Sequence, residues 1–269
     1  MKDKVCTAAE AMADVHDGDH VAAHVWGGPG TPGLLFRALA ERGVKDLTLY
    51  CNNFLPSPPG FKELGLPDNS ATILLPQIKK LVTAFVGTRA IRGLGQEDFL
   101  EKWTKSGQLE VESTTHGVFI ERLHAGAMGL GGFYSPIGVN TTIEKGKEKR
   151  TIDGREYILE KPIRPDVGLV KAFKADRLGN LIYHGTARGA NPIIAMASRL
   201  TIVEVSELVE VGELDPELIV TPGIYVDRIV RIPRDDAASA TRRQEIMERV
   251  FGNPEIRELV FAARQGGQQ

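Results

Sequence analysis

Residues 20–53 read HVAAHVWGGPGTPGLLFRALAERGVKDLTLYCNN, and the fold follows from how that stretch is punctuated. An apolar run over 20–26 ends at a glycine- and proline-rich turn, Gly27-Gly28-Pro29-Gly30-Thr31-Pro32. Leu34, Leu35, Ala38 and Leu39 then recur at helical spacing, and Gly43 closes a helix predicted over 32–42. A second apolar run over 47–51 follows. Two strands joined through a helix make a βαβ unit, whose strands pair in parallel. A strand that feeds a helix through such a turn can aim several backbone N–H groups outward together. They then favour an acyl oxygen, a carboxylate or a phosphate. The same residue types also make ordinary tight corners, so the turn alone leaves both readings open.

The alternation extends in both directions. Thr7 and Glu10 form a capping box that opens a short helix reaching about residue 14, and Asp17-Gly18-Asp19 turns the chain into the first strand. Further strands are expected over 81–86, 109–112, 155–160, 167–170, 181–183 and 200–205, with helices over 97–106, 115–128 and 191–198. Residues 144–150 read as an exposed charged stretch. The pattern predicts an α/β protein with an open, mostly parallel sheet and helices on both faces. From Asp235 the character changes to a charged amphipathic helix over 241–251 and a second helix opened by Asn253-Pro254. The expected division is a body over 1–234 and a C-terminal helical extension over 235–269.

Bulk properties narrow the partners. The 269 residues suffice for a well-buried core, and 42% hydrophobic with 25% charged residues is ordinary for a globular chain. A formal charge of −2 gives no electrostatic case for nucleic acid or a membrane surface. Two cysteines, Cys6 and Cys51, cannot build a disulfide scaffold or a cysteine zinc cluster. The opening residues lead into a capping box and not an apolar signal core, so a cytoplasmic setting is expected.

Chemistry-bearing residues gather behind strand ends. Asn52-Asn53 follows the strand predicted over 47–51, at the carboxyl end where open α/β sheets place their sites. Such amides can contact a carboxylate, or can cap the strand and begin a turn. His116 opens the helix predicted over 115–128. A helix N-terminus favours the neutral imidazole, which can donate to an oxyanion, although a surface cap is the plainer role. His20 and His24 share one side of a strand but lack a third metal ligand nearby, so no metal site is expected. Gly28-Pro29-Gly30 with Gly33 matches the dinucleotide pattern formally. Pro29 and Pro32 remove two of the backbone donors that such a loop uses, and no acidic residue ends the next strand.

Four segments carry a resemblance to a known family. They are Asp17-Gly18 with the turn ending Gly30-Thr31-Pro32; Leu123-His124-Ala125-Gly126-Ala127 through Phe133-Tyr134-Ser135-Pro136-Ile137-Gly138; Lys171 through Asn180 with Gly185-Thr186-Ala187-Arg188 and Asn191-Pro192; and Thr221 through Arg228. Over 17–231 the chain resembles the alpha (A-type) chains of family I coenzyme A transferases, the group that includes 3-oxoacid CoA-transferase. The resemblance implies a NagB-like α/β sheet, partnership with a homologous B subunit, and an acyl-CoA and a carboxylic acid, expected to be a 3-oxo acid, as substrates. Coenzyme A is then a substrate, and no permanently bound cofactor is expected. It also implies that a B-subunit glutamate carries CoA as a thioester, so this chain should hold no nucleophile. Its Glu10, Glu41 and Glu97 accordingly read as helix-surface or cap residues.

By the same resemblance, Asn52 and Asn53 contact substrate. Trp26, Gly27, Gly28 and Gly30 line the acyl pocket, and His116 stands where a glutamine supplies an oxyanion donor. His24-Val25-Trp26 replaces the family's Gly-Gly-Phe, which points to a reshaped pocket. A divergent CoA-thioester hydrolase that lets water resolve the intermediate, a ring-cleaving hydrolase on the same scaffold, and a non-enzymatic sensor are the alternatives.

Overall fold

The computed structural model describes residues 3–25, 29–54, 70–86 and 99–233. Strands β1 (His20–Ala23), β2 (Leu47–Phe54), β3 (Ile78–Val86), β4 (Glu110–Ser113), β8 (Val167–Asp176), β10 (Leu200–Val209) and β11 (Arg228–Arg231) form the main sheet in the order β11-β10-β8-β1-β2-β3-β4. Every neighbouring pair along that path is parallel. The short strand β9 (Leu181–Ile182) folds back antiparallel on β8. A separate antiparallel sheet has the order β5-β7-β6, from Phe133–Ser135, Arg155–Glu160 and Lys149–Ile152.

Alternating side chains divide the core into two layers, as a sheet covered on both faces requires. On one face, Val21, Ala23, Leu47 and Leu49 pack with α1 (Ala8–Ala11) and with Leu35, Phe36 and Leu39 of α2 (Gly33–Arg42). Trp103 of α3 (Phe99–Lys105) joins the rim of that layer. On the other face, Ala22, Val170, Ala172 and Val203 meet Phe119 and Leu123 of α4 (His116–Ala127). Ile193 and Ile194 of α5 (Asn191–Ala197) complete the second layer. No helix among the described residues is long and apolar enough to cross a membrane.

The two halves of the βαβ unit form as the sequence predicts, with revised bounds. Strand β1 stops at Ala23 instead of residue 26, and β2 runs past Cys51 to Phe54 because β3 keeps pairing with it through Phe54↔Val86. Asn52 and Asn53 therefore lie inside the strand and not beyond it. Helix α2 stops where expected, with Gly43 left-handed at φ 74° and its N–H bonded to the Leu39 carbonyl. The charged stretch over 144–150 leads into a hairpin, not a plain loop. Asp153 and Gly154, at φ 49° and 77°, supply the turn that suits a two-residue connection. The helices expected over 241–251 and after Asn253 lie outside the described residues, as does the whole of the expected extension over 235–269.

Candidate active site

Chain order reverses between β8 and β1. Strand β1 leads outward to β2 on one side, whereas β8 leads to β10 on the other. A crevice outside the carboxyl ends of the strands is expected at such a switch point. His24 and the glycine turn leave β1 there, and Asn52 and Asn53 end β2 next door. Thr114, Thr115 and His116 follow β4 at the same edge.

Asn53 and His116 come together although 63 residues separate them. His116 Nε2 lies 2.9 Å from Asn53 Oδ1, and because an amide oxygen only accepts, the ring N–H donates to it. Thr115 caps α4 with its hydroxyl accepting from Val118 N, which places His116 at the first position of the helix. Asn53 is nearly buried, and its Nδ2 makes no hydrogen bond among the described residues. A buried amide whose oxygen is fixed and whose N–H groups are unpaired suits a ligand carbonyl or carboxylate. Phe85 pairs in register with Asn53 on β3 and is 47% exposed, adding an apolar wall beside the amide.

Asn52 has a different environment. Its Oδ1 accepts from Val25 N at 2.9 Å, tying the end of β2 to the chain as it enters the glycine turn. That bond satisfies a buried backbone donor whose loss would cost roughly 1–3 kcal/mol.

The exit of the turn is clasped to the loop before α5. Asn191, fully buried, donates from Nδ2 to the carbonyls of Gly30 and Ala187, both at 3.0 Å, and accepts from Lys171 N on β8. Gly30 has φ 74°, and a Cβ there would meet the Ala187 carbonyl at 2.3 Å. The glycine is therefore required by both conformation and space. His24 is enclosed in the same clasp, 4% exposed, with Nδ1 accepting from Ala190 N at 3.3 Å. Burial pulls its pKa down to about 4. The ring is thus neutral, with its proton on Nε2, which finds no hydrogen-bond partner. Thr31 Oγ1, on the far side of the turn, is also buried and without one. His20, the other member of the pair considered for a metal, bonds through Nδ1 to the Tyr50 hydroxyl at 3.1 Å. No group of three metal-ligating side chains occurs among the described residues.

Among the glutamates, Glu10 closes its capping box and Glu41 is exposed, whereas Glu97 lies outside the described residues. Two buried glutamates escaped the sequence reading. Glu204 on β10 receives Lys171 Nζ at 2.9 Å and Leu35 N at 3.1 Å. It thereby supplies an anion to the N-terminal turn of α2, where Pro32 offers no capping side chain. Glu160 on β7 pairs with Lys147 at 2.7 Å. Both oxygens of Glu204 are occupied by structural partners, whereas Glu160 is held through Oε1 alone and its buried Oε2 has no hydrogen-bond partner.

Two of the resemblance segments also build scaffold. Asp176 accepts from the backbone N–H groups of Leu178 and Asn180 and from Asn180 Nδ2, while Asn180 Oδ1 accepts from Gly223 N. The segments 171–180 and 221–228 thus knot together. Of the expected site residues, Gly30, Asn52, Asn53 and His116 lie at the carboxyl edge, whereas Trp26, Gly27 and Gly28 fall outside the described residues.

Comparison with known proteins agrees with this architecture. The Coenzyme A transferase family profile matches residues 5–231. A Bacillus subtilis chain, named as the A-type chain of a probable succinyl-CoA:3-ketoacid coenzyme A transferase, is 44% identical over 226 residues, covering 83% of this chain and 87% of that one. The alpha chain of the Escherichia coli acetate CoA-transferase is 39% identical over 230 residues, with 86% and 97% covered. Among solved structures, glutaconate coenzyme A-transferase from Acidaminococcus fermentans superposes with a TM-score of 0.68 at 22% identity, covering 86% of this chain and 76% of that one.

Proposed function

Because the chain belongs to the coenzyme A transferase family, we propose that it works as the alpha (A-type) chain of an enzyme that moves CoA between an acyl-CoA and a carboxylic acid. The B subunit supplies the covalent chemistry in this reading. Its glutamate attacks the thioester carbonyl and expels CoA thiolate, leaving an acyl-glutamyl anhydride. The thiolate then attacks the glutamyl carbonyl, releasing the first acid and leaving a glutamyl-CoA thioester. A second acid reverses both steps and departs as its CoA ester.

This chain's part is to hold the acid and the developing negative charge. The observation that carries the reading is the Asn53–His116 pair. His116 fixes the Asn53 oxygen, which turns the amide N–H groups toward an acyl oxygen at the mouth of the sheet. Asn52 acts from behind by anchoring Val25, and Gly30 forms part of a wall of the acyl pocket. The acid itself is expected to be a 3-oxo acid. A cytoplasmic setting fits the two thiols, Cys6 and Cys51, which are both free.

The test is reconstitution with the B subunit, an acyl-CoA and an acceptor acid. CoA exchange that depends strictly on the acceptor and follows ping-pong kinetics supports the proposal. Free CoA released at an undiminished rate without any acceptor would make the complex a hydrolase instead.

A further inference from the structure

Strand β3 lies between β2 and β4, so the 2.9 Å bond from His116, which follows β4, to Asn53 on β2 crosses the end of β3. Phe85 occupies that end, in register with Asn53. Side chains at one register level of neighbouring strands leave the sheet on the same side, and the strands lie about 4.8 Å apart. The Phe85 ring therefore stands beside the Asn53 amide, whose N–H groups are unpaired among the described residues.

Exposure singles this ring out. Leu81, Val82 and Thr83 of the same interior strand are each at most 2% exposed, whereas Phe85 is 47% exposed. Its backbone is held in place: the Thr83 hydroxyl donates to the Phe85 carbonyl at 3.4 Å, and Thr114 N donates to the Thr83 carbonyl at 3.1 Å. No lysine or arginine stands among the described residues that end β2, β3 and β4. A second carboxylate laid against this surface would lose water without gaining a partner, whereas a hydrocarbon chain would cover the ring and gain by it. We propose that Phe85 is a specificity-determining residue: an acid held at its carboxyl group by the Asn53 amide lays an uncharged aliphatic tail against the exposed face of the ring. The inference rests on the reading that Asn53 binds the acid. It makes longer monocarboxylic acids better acceptors than acetate, whose single methyl group covers little of the ring.

The test uses the reconstituted complex with butanoate and acetate as paired acceptors. Each methylene moved from water onto an apolar surface is worth about fourfold, so the two extra ones should favour butanoate by about tenfold in kcat/KM. Phe85→Ala should remove most of that preference. Phe85→Leu, which keeps an apolar side chain, should hold the ratio within about threefold of wild type. A ratio that Phe85→Ala leaves unchanged overturns the proposal, as does a leucine variant no better than the alanine one. Loss of co-purification with the B subunit in Phe85→Ala also overturns it, because the ring then belongs to the contact between chains.

Failure of the underlying reading has a different signature. If Asn53 does not bind the acid, Asn53→Ala exchanges CoA as fast as wild type, and the assignment of the tail falls with it. If Asn53→Ala is slowed while Phe85→Ala keeps the wild-type ratio, the role of Phe85 alone is overturned.

Discussion

In the proposed site Asn53 is the central residue, and it is held by a partner 63 positions away. If His116 orients the Asn53 amide, the two act as one unit. His116→Ala and Asn53→Ala should each lower kcat by about 10- to 100-fold, somewhat below the loss seen when an oxyanion donor itself is removed. The double variant should be no worse than Asn53→Ala. Multiplicative losses would mean that His116 contacts substrate independently. His116→Gln, which can still donate to Asn53 Oδ1, should retain most activity.

The same scale carries a pH prediction. Unfolded imidazole titrates near its ordinary value of about 6.5, whereas His24 in the fold titrates at about 4. Between those values the unfolded chain binds more protons, so folding stability rises with pH. The contribution is complete above about pH 6.5 and falls away as pH drops toward 4, amounting to about 2 kcal/mol by pH 5. Urea midpoints at pH 7.5 and pH 5 should therefore fall further apart for wild type than for His24→Asn. Equal separations would mean that the imidazole is not held neutral by burial.

Residue positions at the carboxyl edge were legible because the site rule for open sheets needs only strand ends. Gly30, Asn53 and His116 could be picked out that way, though the hydrogen bond joining two of them could not. His24 was weighed as a metal ligand beside His20 and, with Val25 and Trp26, as a departure that reshapes the pocket. Its packing depends on Gly189 and Ala190, some 165 positions on, and no local pattern marks that contact.

At the scale of elements, periodicity and turn chemistry found β1, α2 and β2 within a few residues. It missed what begins α2. The anion at that helix start is Glu204, brought by β10 from 169 positions away. Glu204→Gln keeps an acceptor for Leu35 N but leaves Lys171 without its counter-charge. It should cost about 2 kcal/mol in a urea titration, the order expected of a charge-assisted bond. A variant as stable as wild type would show that α2 needs no charge at its start. The β6–β7 hairpin was readable in principle, since Asp153-Gly154 is a strong two-residue turn signal. The charge around it masked the alternation. Strand β11 was missed because four residues, Arg228–Arg231, are too few to show a period.

For the whole molecule, the sequence pattern predicts an open parallel sheet but not its order. Placing β8 beside β1 rather than at an edge creates the switch point, and only long-range pairing reveals it. That placement gathers the glycine turn, Asn53 and His116 on one rim, while the buried glutamates Glu160 and Glu204 are committed to lysines. In the proposed function this rim is a pocket wall whose nucleophile comes from a second chain. The most direct measurement is to trap the covalent intermediate. The reconstituted complex is loaded with acyl-CoA in the absence of acceptor, treated with borohydride or hydroxylamine, and each chain is weighed by mass spectrometry. The modification should appear on a glutamate of the B subunit, with this chain at its unmodified mass. A stoichiometric adduct on a glutamate of this chain would contradict the split site.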